Sequence, residues 1–190
     1  MAGKRVIITG VPGVGKTTVI EESMKRLAEE NVPYRAINFG SCMFETAKSE
    51  GFAEDRDQMR NLDRDVQKDL QKLAARRIGA MEGNIIIDTH ASVKTPAGYL
   101  PGLPAWVLTE IHPDTVVLVE TDEDQILMRR MGDESRRRDA EGCRSIAEHQ
   151  AFNRAFAASY AMMTGCTVHI VRNENFLLDH AIDALVAVLR

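Results

Sequence analysis

The stretch that decides the fold is Gly10-Val11-Pro12-Gly13-Val14-Gly15-Lys16-Thr17. It has the spacing of a glycine-rich loop that wraps a nucleoside triphosphate. An apolar run, Val6-Ile7-Ile8, precedes it, and Ile20, Met24, Leu27 and Ala28 recur after it at helical spacing, so the context is strand, loop, helix. In such a loop glycines let backbone N–H groups turn inward around a phosphate, and the helix beginning near Gly15 adds its free N–H groups and the positive end of its dipole. Lys16 is then expected at the β and γ phosphates, Thr17 on Mg²⁺, and Thr18 at the α-phosphate.

Working outward, residues 4–9 read as the first strand and 15 to about 31 as the first helix, stopped by Pro33. Tyr34 to Phe39 reads as a second strand ending at Gly40. Residues 42–49 and 57 to about 81 form polar helical patterns, in which Asp55, Arg56, Asp57, Arg60, Arg64 and Asp65 suit a solvated face of helix-spaced ion pairs. Ile85-Ile86-Ile87-Asp88 is a buried strand with an acid at its carboxyl end, where an open α/β sheet presents ligand groups. Asp88 therefore either holds Mg²⁺, through its water shell, or caps the next turn.

Residues 89–104 hold three prolines and two glycines and are expected to form a loop overlooking the cleft, carrying His90 and Lys94. His90 fits a hydrogen-bonding structural role better than that of a base. A short helix around Trp106 and Ile111, a strand Thr115 to Val119 and a helix Glu123 to Met131 come next. Arg129 to Arg138 then places five arginines in ten residues of an acidic chain. Guanidinium forks suit phosphate oxygens, although Asp133, Glu134, Asp139 and Glu141 also allow a salt-bridged surface. A long helix from about Arg144 to Thr164 is expected to turn Ile146, Phe152, Phe156, Tyr160 and Met163 to one face, with His149, Gln150 and Arg154 at its edge. Cys166 to Val171 reads as the last strand, and the last helix buries Leu178, Ile182, Leu185 and Leu189.

The alternation predicts one α/β domain over residues 1–190, a five-stranded, mainly parallel sheet with helices on both faces. Two excursions leave it, about 40–82 and about 129–143. A length of 190 residues supports a substantial core without disulfides. The net charge of −4 and pI near 5.8 give no global case for nucleic acid or membrane as a partner. Cys42, Cys143 and Cys166 have no metal-ligand spacing and suit a reducing cytoplasm, and no segment reads as a signal peptide or membrane span.

An Asn-Lys-x-Asp motif of a GTPase-type switch is missing, and Asp88 is followed by Thr89-His90-Ala91 rather than by x-x-Gly. The arginine-rich segment instead suits a kinase lid, whose cations stabilise charge on a moving phosphoryl group and whose closure excludes water. Small-molecule phosphoryl transfer is favoured over a switch or scaffold. Arg60 and Lys94 could pair with a dianionic acceptor such as a monophosphate.

The sequence resembles the archaeal-type adenylate kinases. The matching stretches are Gly10 to Thr18, Asn38-Phe39-Gly40 with Met43, Asp55 to Arg60, Asp88-Thr89-His90, Lys94-Thr95-Pro96, Gly98 to Pro104, and Arg129 with Arg136 and Arg138. The resemblance implies a nucleoside monophosphate kinase fold and the reversible, Mg²⁺-dependent reaction ATP + AMP to two ADP, in a cytoplasmic homotrimer. It implies ATP binding by Gly10 to Thr18, Arg60 and Lys94 at the AMP phosphate, and Arg129, Arg136 and Arg138 around the transferring group. The loop at Asn173 would lie against the adenine. The Asp-Gly-Phe-Pro-Arg stretch of the bacterial and eukaryotic enzymes is replaced by Asp88-Thr89-His90, and the lid lacks a four-cysteine zinc site, so no structural metal is expected. A kinase for another acceptor is the alternative.

Overall fold

The computed structural model describes residues 3–132 and 142–190, the side chain of Arg60 excepted. The main sheet has five parallel strands: β1 (Arg5–Thr9), β2 (Tyr34–Asn38), β3 (Asn84–Asp88), and the later strands Thr115–Glu120 and Thr167–Arg172. Between the third and fourth of these lies a feature that the sequence does not predict. Residues 89–104 are not an irregular loop: β4 (Ser92–Thr95) and β5 (Gly98–Pro101) pair as an antiparallel hairpin. Gly98, at a φ of +119°, makes the tight reversal after Pro96-Ala97 possible, and the Thr95 hydroxyl donates to the Gly98 carbonyl at 2.8 Å.

With Thr115–Glu120 as β6 and Thr167–Arg172 as β7, the sheet order is β2-β3-β1-β6-β7. The helices are α1 (Lys16–Glu29), α2 (Phe39–Ser49), α3 (Arg56–Arg60), α4 (Arg64–Gly79), α5 (Ala105–Ile111), α6 (Glu123–Gly132), α7 (Cys143–Thr164) and α8 (Leu178–Leu189). Near-continuous apolar runs in the inner strands follow from burial on both faces. Val6, Ile8, Ile86, Val117 and Val119 pack against α1 and α8, while Ile7, Ile85, Ile87, Val116 and Leu118 pack on the other side with α4, α5 and α7.

Two boundaries and one buried face differ notably from the sequence reading. The second strand stops at Asn38 because that side chain caps α2, accepting from the Ser41 N–H at 3.0 Å. The helix expected over 57–81 is broken at Asn61-Leu62-Asp63, where Asp63 caps α4 and Asp55 caps α3; both acids are exposed, and Asp55 accepts from backbone N–H groups rather than joining a helix-spaced ion pair. On α7, Phe152 and Met163 are 41% and 55% exposed, and the buried stripe instead contains Ile146, His149, Gln150, Asn153, Ala157 and Tyr160.

The hairpin accounts for His149 and Asn153 in that stripe, while Gln150 donates to the Thr121 carbonyl at 3.0 Å. Ser92 donates to Asn153 at 2.6 Å, the His149 ring meets the Ser92 carbonyl at 3.3 Å, and the Tyr160 hydroxyl donates to the Ala91 carbonyl while accepting from the Leu103 N–H. Tyr99 stacks on Phe152 with ring centroids 4.1 Å apart and donates to Glu148. Buried loop backbone requires partners, and α7 supplies them.

Candidate active site

The loops leaving β1 and β3 run to opposite faces of the sheet, so the crevice between their carboxyl ends is the switch point where open α/β sheets take ligands. Register places Ile8 opposite Asp88 and Asn38 opposite Asp88, aligning three strand ends on one rim. The phosphate loop leaves β1 here, and α1 begins with Gly15 at a φ of +85°. No side chain caps that helix, so its first N–H groups stay available for an anion. Gly15 also permits a close approach: a Cβ there would lie 2.5 Å from the Asn173 amide nitrogen.

Lys16 and Asp88 meet in the crevice. The Lys16 ammonium forms an ion pair with Asp88 Oδ1 and donates to the Thr89 carbonyl at 2.7 Å. Asp88 Oδ2 accepts from the Asn38 amide at 3.1 Å, a neighbour that sequence reasoning about Asp88 does not supply. Asp88 thus faces the loop rather than capping the turn that follows it. Thr17 and Thr18 are exposed at the start of α1, and the Thr17 hydroxyl forms no bond to another described residue. His90 stays open to solvent at the crevice mouth, yet enough of its imidazole is desolvated to push its pKa below the ordinary value, helped by the Lys16 charge. The Asp88 charge and a hydrogen bond to the Gly10 backbone oppose that shift without overcoming it.

Residues from β7 and α6 brace the loop. Asn173, 5% exposed, donates from Nδ2 to the Val14 carbonyl at 2.8 Å, and its own N–H bonds the Glu120 carbonyl at 2.8 Å. Arg129 donates to the same Val14 carbonyl at 2.9 Å, to the Asn173 carbonyl at 2.9 Å and to Asn175 at 2.7 and 2.9 Å. Arg130 holds the Pro12 carbonyl at 2.8 Å. The loop is therefore clamped by side chains at the Pro12 and Val14 carbonyls, and the Val11 carbonyl accepts from the Val14 N–H at 3.2 Å. Arg129 and Asn173 act on the loop backbone, a role that the sequence reading, with its phosphoryl and adenine assignments, does not include. Asn175, held by Arg129 and donating its N–H to Gln125 at 2.7 Å, completes the brace and carries no motif signal.

Of the remaining assigned residues, Lys94 is exposed on β4 and bonds the Ser145 hydroxyl in the first turn of α7, which places it beside the end of the 129–143 segment. Arg60 lies on α3, with its side chain outside the described residues, and Arg136 and Arg138 also lie outside them.

A protein-family profile described as AAA domain matches residues 9–147. Adenylate kinases from Methanoculleus marisnigri and Methanococcus vannielii are 68% and 56% identical to the chain, each over 192 aligned positions covering both chains fully. That of Methanothermobacter thermautotrophicus is 48% identical, covering 98% of this chain and 99% of its own. The chain belongs to the adenylate kinase family. Among solved structures, a shikimate kinase from Acinetobacter baumannii superposes with a TM-score of 0.60 at 13% identity, covering 98% of this chain and 93% of its own. One from Bacteroides thetaiotaomicron gives 0.56 at 16%, covering 98% of each. These two matches speak for the kinase fold alone, and the family membership rests on the full-length relatives.

In the adenylate kinase crevice, the donor set offered to a metal is oxygen only: the exposed Thr17 hydroxyl and the Asp88 carboxylate, whose Oδ1 meets only the Lys16 cation and no uncharged donor. Hard oxygen donors of this kind fit Mg²⁺, which keeps several waters and takes few protein ligands. Cys42, Cys143 and Cys166 are all free thiols. No helix among the described residues is long and apolar enough to cross a membrane.

Proposed function

We propose that the chain transfers the γ-phosphoryl group of ATP to AMP, reversibly, giving two ADP. The observation that carries this reading is the meeting of Lys16, Asp88 and the uncapped start of α1 in the switch-point crevice, in a chain of the adenylate kinase family. The N–H groups of Gly13, Gly15, Lys16 and Thr17 bind the β-phosphate, Thr18 supports the α-phosphate, and Lys16 leaves Asp88 to follow the γ-phosphate. An AMP phosphate oxygen attacks the γ-phosphorus as the bond to the β–γ bridging oxygen breaks. Charge spreads over the moving oxygens, and Lys16, Arg136 and Arg138 stabilise it. Arg129 contributes chiefly by fixing the loop that holds the donor. Arg60 and Lys94 hold the AMP phosphate, and Asn173 fixes the loop beside the adenine.

Thr17 and Asp88 would hold Mg²⁺, Asp88 through a water, and the ion would supply positive charge that offsets that of the donor phosphates. The reading extends to a cytoplasmic homotrimer. Support for self-association comes from edge strand β7, where Val168 and Ile170 are 38% and 50% exposed. A steady-state assay with ATP and a panel of nucleoside monophosphates tests the acceptor: AMP is expected to turn over fastest. No preference for AMP over CMP, UMP or GMP would overturn the reading.

A further inference from the structure

Asn38 sits where the acceptor-side excursion begins, at the last residue of β2, and its two amide atoms do different work. Oδ1 accepts from the Ser41 N–H at 3.0 Å, which caps α2. Nδ2 donates to Asp88 Oδ2 at 3.1 Å. The assignment of the two atoms follows from their partners, since an N–H needs an acceptor and a carboxylate needs a donor. Ser41 is bound from the excursion side as well, its hydroxyl accepting from Arg56 Nη2 of α3 at 2.9 Å. A continuous series of contacts therefore runs from α3 through Ser41, Asn38 and Asp88 to Lys16 of the phosphate loop.

We infer that Asn38 is a positioning residue for the phosphoryl-transfer site: it fixes the Asp88 carboxylate and registers the start of the acceptor-side excursion against the donor phosphates. The inference rests on the proposed reading of Asp88. The geometry gives it a reason. A carboxylate at a strand end can rotate about its side-chain bonds, and Lys16 must exchange Asp88 for phosphate when the triphosphate binds. The Asn38 donor is then the contact that keeps Asp88 Oδ1 aimed at the loop. An outer contact of this type orients a metal-facing ligand without touching the metal, and its loss ordinarily costs about 10- to 100-fold in affinity or activity.

Capping and positioning separate by substitution. Asn38→Ser keeps a good N-cap, but its shorter side chain cannot also reach Asp88; Asn38→Ala loses both functions. Three quantities are read for wild type and both variants: thermal midpoint, kcat and KM for AMP, and Mn²⁺ binding to the ADP-saturated enzyme by electron paramagnetic resonance. Asn38→Ser is expected to keep the wild-type midpoint while Asn38→Ala lowers it. Both variants should lose about tenfold in kcat and in Mn²⁺ affinity, with KM for AMP within about twofold of wild type. Wild-type kcat and Mn²⁺ affinity in Asn38→Ser would reduce Asn38 to a helix cap and overturn the inference. A rise in KM for AMP with kcat unchanged would overturn it too, by making Asn38 an acceptor contact. If wild type itself fails to phosphorylate AMP, the proposed function falls, while the Mn²⁺ comparison still decides the role of Asn38.

Discussion

The brace behind the phosphate loop makes a sharp prediction for Gly15→Ala combined with Asn173→Ala. Gly15 stands at a φ of +85°, and placing a side chain in that left-handed conformation costs about 1–2 kcal/mol. The new methyl would also lie 2.5 Å from the Asn173 amide nitrogen, which must move and give up its 2.8 Å bond to the Val14 carbonyl. That bond is buried and contributes about 1 kcal/mol net, and the Val14 carbonyl keeps its second donor, Arg129. Gly15→Ala should thus cost about 2–3 kcal/mol, which lowers the thermal midpoint of a chain this size by about 4–12 °C. Asn173→Ala alone should cost about 1 kcal/mol.

The two effects overlap. Once the amide has been removed, the nearest remaining atom to the methyl at position 15 is Arg129 Nη1 at 3.6 Å, an ordinary contact, and only the backbone cost remains. The double variant should therefore be more stable than the sum of the single losses implies, by about 1 kcal/mol. Urea unfolding of the four proteins at one fixed concentration closes the cycle. Additivity to within about 0.3–0.5 kcal/mol would refute the argument, because it would mean that the Asn173 amide does not occupy the space over Gly15. A second consequence bears on function: Asn173→Ala should raise KM for ATP more than KM for AMP, since the loop it fixes serves the donor.

Lys16→Ala should lower kcat by about 100-fold or more while the protein stays folded, as expected for loss of a cation aimed at developing charge; unchanged turnover would refute that role. Arg138→Ala should lower kcat more than it raises KM for AMP, and a pure KM effect would make the residue a positioning group. Burial pushes the phenols of Tyr34 and Tyr160 from 10.0 up to about 12, so the folded state prefers the neutral form. Their contribution is complete below pH 10 and lost as pH rises toward about 12; urea midpoints should fall across that window, and less steeply in Tyr160→Phe. At neutral pH Tyr160→Phe should itself cost about 1–3 kcal/mol, chiefly by leaving the buried Leu103 N–H unpaired, since the Ala91 carbonyl keeps the Gly102 N–H at 2.8 Å.

The five parallel strands were legible because burial on both faces leaves long apolar runs, and the phosphate loop was legible because its chemistry fixes both residue type and spacing. The hairpin was not. Its strands are four residues each, and prolines and glycines dominate the local signal. What makes it regular is remote: Asn153, His149, Glu148 and Tyr160 on α7 hold it in place. The same contact explains why α7 buries His149 and Asn153, while Gln150 is buried against the Thr121 carbonyl and Phe152 remains 41% exposed, an inversion that hydrophobic periodicity cannot anticipate. Asp55 and Asp63 were ambiguous for a related reason, since an acid in a charged helical pattern fits an ion pair as readily as a cap until the backbone breaks.

The least legible part of the site is the division of labour around Asp88. An apolar strand ending in aspartate says that the carboxylate reaches the crevice, but not what holds it before nucleotide arrives. In the structure its two oxygens serve different partners, Lys16 on Oδ1 and the Asn38 amide on Oδ2. Only the first is a charge that phosphate can draw away. On the proposed reading, when Lys16 turns to the γ-phosphate, Oδ1 would give up its cation, while Oδ2 would keep the donor that fixes its direction. The carboxylate can then change partner without changing place. On that reading the same carboxylate pairs with Lys16 and faces the metal, and its direction is set by Asn38, a residue whose only local sequence signal is that of a helix cap.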